Sequence, residues 1–202
     1  MQHNELRGAL THPPFYPTCY WVYDTETGQP IKAPGRRPAH YYFRSRRRQD
    51  AGQTKLFAEE EMVELHLVNA IREQVRKWRA GGYKNASAVT KQLLRHWTSS
   101  ERERKLFFCQ IEAAETIIWL HEIHKPGQYG IAIPKDESNE DGQSALTRRC
   151  IKMATGSGKT IVMAMLIAWS ILNKVQNRQA QWCSDAVLIV TPNLTVKERL
   201  GG

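Results

Sequence analysis

The chain has 202 residues, 41% of them apolar, which is enough to bury a core in one domain or one and a half. That composition excludes a fibrous chain and a plainly disordered one. Twenty-nine Lys and Arg against twenty Asp and Glu give a net charge of +9, which suits a polyanionic partner without identifying it.

The longest apolar run, residues 161–169 with Ile171 and Leu172 behind it, is far shorter than the ~20 residues of a membrane helix, so no membrane partner is expected. The start MQHNELRGAL has neither the basic nor the apolar region of a secretion signal. Cys19, Cys109, Cys150 and Cys183 lie far apart with no CxxC pair, as expected of reduced packing residues in a cytoplasmic protein.

Four regions follow one another. Residues 1–57 are basic, aromatic and Pro-rich. Only CYWVYD, residues 19–24, reads as a strand there, and the turn formers ETGQP behind it predict a small hairpin. Residues 58–124 are helical. A helix is predicted over 58–80 from Met62, Leu65, Val68, Ile71, Val75 and Trp78, with Glu59, Glu60 and Glu61 at its positive end and Gly81 and Gly82 as its stop. A second is predicted over 86–97 and a third over 104–124, the latter with Phe107, Ile111, Ala114, Ile117, Ile118 and Leu120 on one face. Residues 125–145 are an acidic surface loop with a short strand at 129–133. From 146 to 202 the texture alternates: strand 146–153, loop, helix 159–175, polar turn, strand 186–191 and a helix start near Val196. That order is a parallel βαβ unit, whose strands expect cover on both faces.

The loop inside that unit reads MATGSGKT, residues 153–160. It fits G-x-x-x-x-G-K-[ST] except that Met153 stands in the first place. Gly156 and Gly158 let the backbone turn tightly and come close to an anion, and the N–H groups of Thr155, Gly156, Ser157, Gly158, Lys159 and Thr160 can then point at phosphate. Lys159 would reach the outer phosphates of ATP, and the Thr160 hydroxyl would complete the shell of its Mg2+. A plain glycine-rich turn is the alternative. It is disfavoured because strand, loop and helix follow in the order the chemistry requires.

MATGSGKT, with a bulky residue in the first place, resembles motif I of the superfamily-two DEAD/DEAH-box helicases and translocases. FFCQIEAAETIIWL, residues 107–120, resembles their glutamine motif, with Gln110 in the position that reads adenine. VLIVTPNLTVKERL, residues 187–200, resembles motif Ia, with Thr191, Pro192 and Asn193 in positions that touch a bound strand. Within that group the segments PTCYWVYDTETGQP, GRRP and VNAIREQVRKWRAGGY look closest to the helicase (Res) subunit of type III restriction enzymes. The resemblance implies an α/β fold, an incomplete RecA-like P-loop parallel sheet preceded by a mostly helical amino-terminal region. It further implies ATP and Mg2+ as cofactors, DNA as partner and a possible modification or specificity subunit. Gln110 is otherwise a solvent-exposed residue near a helix start, and that alternative stays open.

Hydrolysis in this class also needs an acidic pair at a later strand end and arginines on the transferred phosphoryl group. No Asp-Glu pair follows an apolar strand after Thr160. The expectation is an amino-terminal fragment ending after motif Ia, without appreciable ATP turnover and marginal when made alone. A non-helicase P-loop kinase or NTPase, and a non-catalytic degraded fragment, are the rival readings.

Arg36, Arg37, Arg44, Arg46, Arg47 and Arg48 surround Tyr41, Tyr42 and Phe43. Guanidinium groups suit phosphates and rings suit unstacked bases, so a DNA contact is one reading of the segment and a solvated arm the other. Met163, Met165, Trp169 and Leu172 are expected in the core. So is a packing role, more than stacking on adenine, for Trp97, Phe107 and Phe108. His121 and His124, three apart, have no evident third ligand, and no metal is expected there.

Overall fold

The computed structural model describes residues 19–24, 26–44, 60–134 and 148–190. Their elements in order are β1 (Cys19–Tyr23), β2 (Pro30–Pro34), β3 (His40–Arg44), β4 (Glu60–Glu64), α1 (His66–Ala80), α2 (Ala88–Thr98), α3 (Phe108–Ile118), a π-helical turn (Trp119–Ile123) and α4 (Lys159–Gln176). The chain divides into two compact units. One is Tyr16–Gln74 and the other is Met1–Phe15 with Val75–Gly202.

In the first unit the expected hairpin is present. β1 pairs antiparallel with β2, Trp21 opposite Lys32 and Tyr23 opposite Pro30. Its turn is built by Asp24, whose Oδ1 accepts from the backbone N–H of Thr27 at 2.8 Å and of Glu26 at 2.9 Å. Those two hydrogen bonds, that of Thr27 first, hold the Asp24 carboxyl below the usual carboxylate range. Gly28, with φ 66°, supplies the left-handed residue that brings the chain back to β2.

The second pair of strands corrects the sequence reading. β4 occupies residues expected to open a helix and pairs antiparallel with β3, from His40 opposite Glu64 to Arg44 opposite Glu60. The helix begins only at His66, so its first turn holds no acidic residue, while Lys77 and Arg79 do lie in its last turn. The aromatic, β-favouring HYYFR of β3 offers a ladder that residues 60–64 complete, and those backbone hydrogen bonds outweigh the weak helix preference of so short a stretch. Asn69 ties the two parts together: its Oδ1 accepts from Ala39 N at 2.8 Å and its Nδ2 donates to Glu64 Oε1 at 2.8 Å.

The second unit packs the end of α1 with α2, α3 and α4 around Val75, Trp78, Leu94, Ile111, Ile118 and Trp169. α1 stops at the expected glycines, Gly81 N donating to Lys77 O at 2.9 Å and Gly82 adopting φ 69°. α2 is capped by Ser87, whose Oγ accepts from Thr90 N at 3.0 Å. A buried ion pair links α1 to α3: Arg79 donates from Nε to Glu115 Oε1 at 2.9 Å and from Nη2 to Oε2, and Tyr83 OH donates to Oε1 at 2.7 Å. Burial alone would lower the pKa of Arg79, but the hydrogen bond and charge of Glu115 raise it overall. Burial, then the Glu115 charge, pushes the Tyr83 phenol up. Both groups stay protonated.

The third helix is shorter than its predicted span, because α3 gives way to the π-helical turn at Trp119. That turn brings the Glu122 carboxylate to α2, where Oε2 accepts from Thr90 Oγ1 at 2.7 Å, and to α4, where it accepts from Trp169 Nε1 at 3.2 Å. Where a strand was expected at 129–133, residues 126–130 form turns and 131–133 run without a ladder, since Gly127, Tyr129 and Gly130 all take positive φ. His121 lies edge-on to Trp169, and His124 pairs through Nε2 with the Ile131 carbonyl. Trp97, Met165 and Trp169 are buried as expected, but Met163 and Leu172 lie on the exposed side of α4.

The fold is therefore mixed α and β. Residues 148–154 and 186–190 run without a ladder, and both sheets among the described residues are two-stranded and antiparallel. A strand exists only where a neighbour takes up its N–H and C=O groups, and apolar content alone does not supply one. Residues 187–190 still alternate, Leu188 at 88% and Val190 at 83% exposure against Val187 at 44% and Ile189 at 41%. The turn before them is fastened to α4 by Ser170 Oγ, which donates to Ser184 O at 2.8 Å, and by the stacking of Trp182 on Trp169.

Candidate functional site

MATGSGKT forms a loop that runs directly into α4. Gly156 takes φ 79° and Gly158 φ 81°, both left-handed, so these two positions need glycine to make the bend. Gly158 is the N-cap of α4 and supplies no side-chain cap. Ile161 N and Val162 N both reach back to the Gly158 carbonyl, which leaves the N–H groups of Lys159 and Thr160 without intrahelical partners. Eighteen residues of helix stand behind this end, directing the positive end of their dipole at the loop.

Lys159 is exposed, and its Nζ donates to the Ala154 carbonyl at 2.8 Å, across the mouth of the loop. Ser157 Oγ donates to the same carbonyl at 2.6 Å. Thr155 and Gly156 are exposed at the loop tip, and Thr160 is half-buried in the first turn of α4. Left-handed glycines, uncapped helix N–H groups and a primary ammonium converge here. The arrangement is chemically suited to a multiply charged anion.

Gln110 joins this loop from α3. It is only 2% exposed, which removes the reading of it as a solvated helix-start residue. Its Oε1 accepts from Phe107 N at 2.9 Å, closing the start of α3, and its Nε2 donates to the Ser157 carbonyl at 3.0 Å. Both partners are backbone groups of unambiguous polarity, so the amide has a single satisfying orientation. A Cβ built on Gly158 would stand 2.1 Å from Gln110 Nε2. Glycine at 158 is thus required by its backbone angle, and a side chain there would push the end of the Gln110 amide from its place against the loop. The sequence signal for this contact was the glutamine itself. Its distance of 47 residues from Ser157 hid the partner.

Next to it, burial raises the pKa of the Cys109 thiol. Phe107 and Phe108 are half-buried around the start of α3. Of the proposed DNA contacts, Arg44 closes β3 by its backbone. Arg46, Arg47 and Arg48, with Thr191, Pro192 and Asn193, lie outside the described residues.

The matched class is helicase-related. The family model described as type III restriction enzyme, res subunit, matches residues 103–201, and that segment belongs to this family. At the level of the family this points to a helicase-like, ATP-dependent function. No curated protein and no solved structure matches the chain. Gln110, the glycine loop and α4 all fall inside the matched span. Among the described residues no helix is long and apolar enough to cross a membrane.

Proposed function

We propose that this chain carries the ATP-Mg binding part of a DNA helicase or translocase of the type III restriction kind. The observation that carries this reading is the left-handed pair Gly156 and Gly158 opening directly into α4, with Lys159 as its first residue. The residues present fit the cofactor. Backbone N–H groups of Thr155, Gly156, Ser157 and Gly158 would cradle phosphate, Lys159 would exchange the Ala154 carbonyl for phosphate oxygens, and the Thr160 hydroxyl would hold Mg2+. Bound Mg2+ neutralises phosphate charge. Gln110 shapes the loop through the Ser157 carbonyl. It retains one N–H and one oxygen lone pair for an adenine edge, which reaches them only by displacing the groups that cover them.

The reading extends to the fold and the partner. Residues 148–154 and 186–190 flank α4 in the order of a parallel βαβ unit, and the alternating exposure of 187–190 supports strand character within a RecA-like sheet. Thr191, Pro192 and Asn193 follow that segment and are proposed to touch DNA, as are Arg44, Arg46, Arg47 and Arg48. A cytoplasmic site of action and a modification or specificity subunit as companion complete the proposal.

Titration of the chain with a fluorescent ATP analogue, with Mg2+ and with EDTA, tests it. Wild type should bind. Lys159→Ala should lose at least roughly tenfold in affinity and Thr160→Ala should lose the dependence on Mg2+. Equal binding by wild type and Lys159→Ala, or none by either, would overturn the reading. For the basic residues, neutralising Arg44, Arg46, Arg47 and Arg48 should flatten the salt dependence of DNA binding, and an unchanged slope excludes them.

A further inference from the structure

The β1–β2 hairpin lies outside the matched segment and holds two large rings in solvent. Trp21 is 55% and Tyr23 78% exposed. They are two residues apart on one strand, so they stand on the same face with their Cβ atoms about 6.7 Å apart, twice the rise per residue. The residue opposite Trp21 is Lys32, whose Nζ sits 5.2 Å from the centre of the indole ring. Arg37 leans on the same strand, donating from Nη2 to the Trp21 carbonyl at 3.2 Å and keeping its remaining donors for other partners. The acidic residues of the hairpin, Asp24 and Glu26, are confined to its turn, and the Asp24 carboxylate faces turn backbone N–H groups. From Pro30 to Gln49 the chain holds seven Lys and Arg and no Asp or Glu.

We propose that Trp21 and Tyr23 form a stacking surface for unpaired bases of a single DNA strand, with Lys32 and Arg37 taking the phosphates beside it. Two rings at this spacing match bases splayed along an extended strand, and the π-face of every base makes such a surface indifferent to sequence. The cation already poised over Trp21 is on a flexible four-carbon stem and can leave the ring for a phosphate as a base arrives. Duplex DNA cannot use the rings, because its bases are already stacked. The inference rests on the reading of the chain as a DNA motor and adds a strand-contact site distinct from the residues proposed above.

Fluorescence anisotropy of the full chain with a labelled oligo-dT and with a duplex of equal length tests it. Trp21→Leu/Tyr23→Leu should weaken oligo-dT binding at least roughly tenfold and leave duplex binding unchanged, whereas Trp21→Phe/Tyr23→Phe should stay within roughly threefold of wild type. Equal oligo-dT affinity in the Leu variant overturns the proposal. So does an equal loss on both DNAs. So does a lowered melting temperature with unchanged oligo-dT affinity, which would make the rings packing residues. ATP-analogue binding measured on the same variants reports the phosphate loop separately, so the hairpin and the nucleotide site can fail independently.

Discussion

Gln110 and Ser157, 47 residues apart, meet through a 3.0 Å hydrogen bond from Nε2 to the carbonyl, and this contact joins α3 to the glycine loop. The amide that closes the start of α3 also holds the loop that opens α4. Removing it frees two backbone groups in a buried place. Gln110→Ala should therefore weaken binding of an ATP analogue about tenfold while costing about 1–3 kcal/mol of stability in urea. Gln110→Glu should be worse, since an anionic oxygen would replace a donor against the Ser157 carbonyl. An unchanged affinity in both variants would separate Gln110 from the nucleotide site.

Gly158→Ala should abolish measurable analogue binding, because a Cβ there meets Gln110 Nε2 at 2.1 Å on a backbone held at φ 81°. Pairing it with Gln110→Ala removes the clash but not the backbone strain. The double variant should recover part of the lost stability and little binding. Full recovery would show that the amide alone demands glycine.

The Arg79–Glu115 pair is buried on both sides, so breaking it strands a charge. Glu115→Leu or Arg79→Met alone should cost about 3–5 kcal/mol, and the double replacement distinctly less than either. Urea unfolding of the three variants decides it. Tyr83→Phe, which removes one hydrogen bond to Glu115, should cost about 1–2 kcal/mol.

His121 has its pKa lowered, first by burial and then by the charge of Arg149. The folded state therefore favours the neutral ring. That contribution is fully present above the unfolded value near 6.5 and is lost as pH falls through the lower folded pKa. Stability measured by urea at a series of pH values should decline from about pH 7 downward, and His121→Asn should flatten that part of the curve. A parallel decline in the variant would assign the effect to other groups.

The local signals that survived were those whose cause is local. The turn of ETGQP needs only Asp24, Thr27 and Gly28, all within five residues, and it formed as read. α4 has a glycine start and no Gly or Pro inside it, and its span differs from the expected one by a single residue at its end. Residues 60–64 went the other way because their partner, β3, lies about twenty residues earlier, and pairing between distant segments leaves no periodic mark in either. The segments 146–153 and 186–191 read as strands from the alternating texture around the helix, but a ladder requires a neighbour, and their described parts, 148–153 and 186–190, have none.

Sequence by itself determined that residues 153–160 are a glycine loop ahead of a helix with Lys159 and Thr160 at its head, because that motif is set by the backbone freedom of two glycines and the order of its neighbours. Only the tertiary structure decided what Gln110 does. Its amide could face water, adenine or protein with equal ease in an isolated helix. The packing of α3 against α4 turned it inward, onto the carbonyl of Ser157 and against the one position where glycine leaves it room.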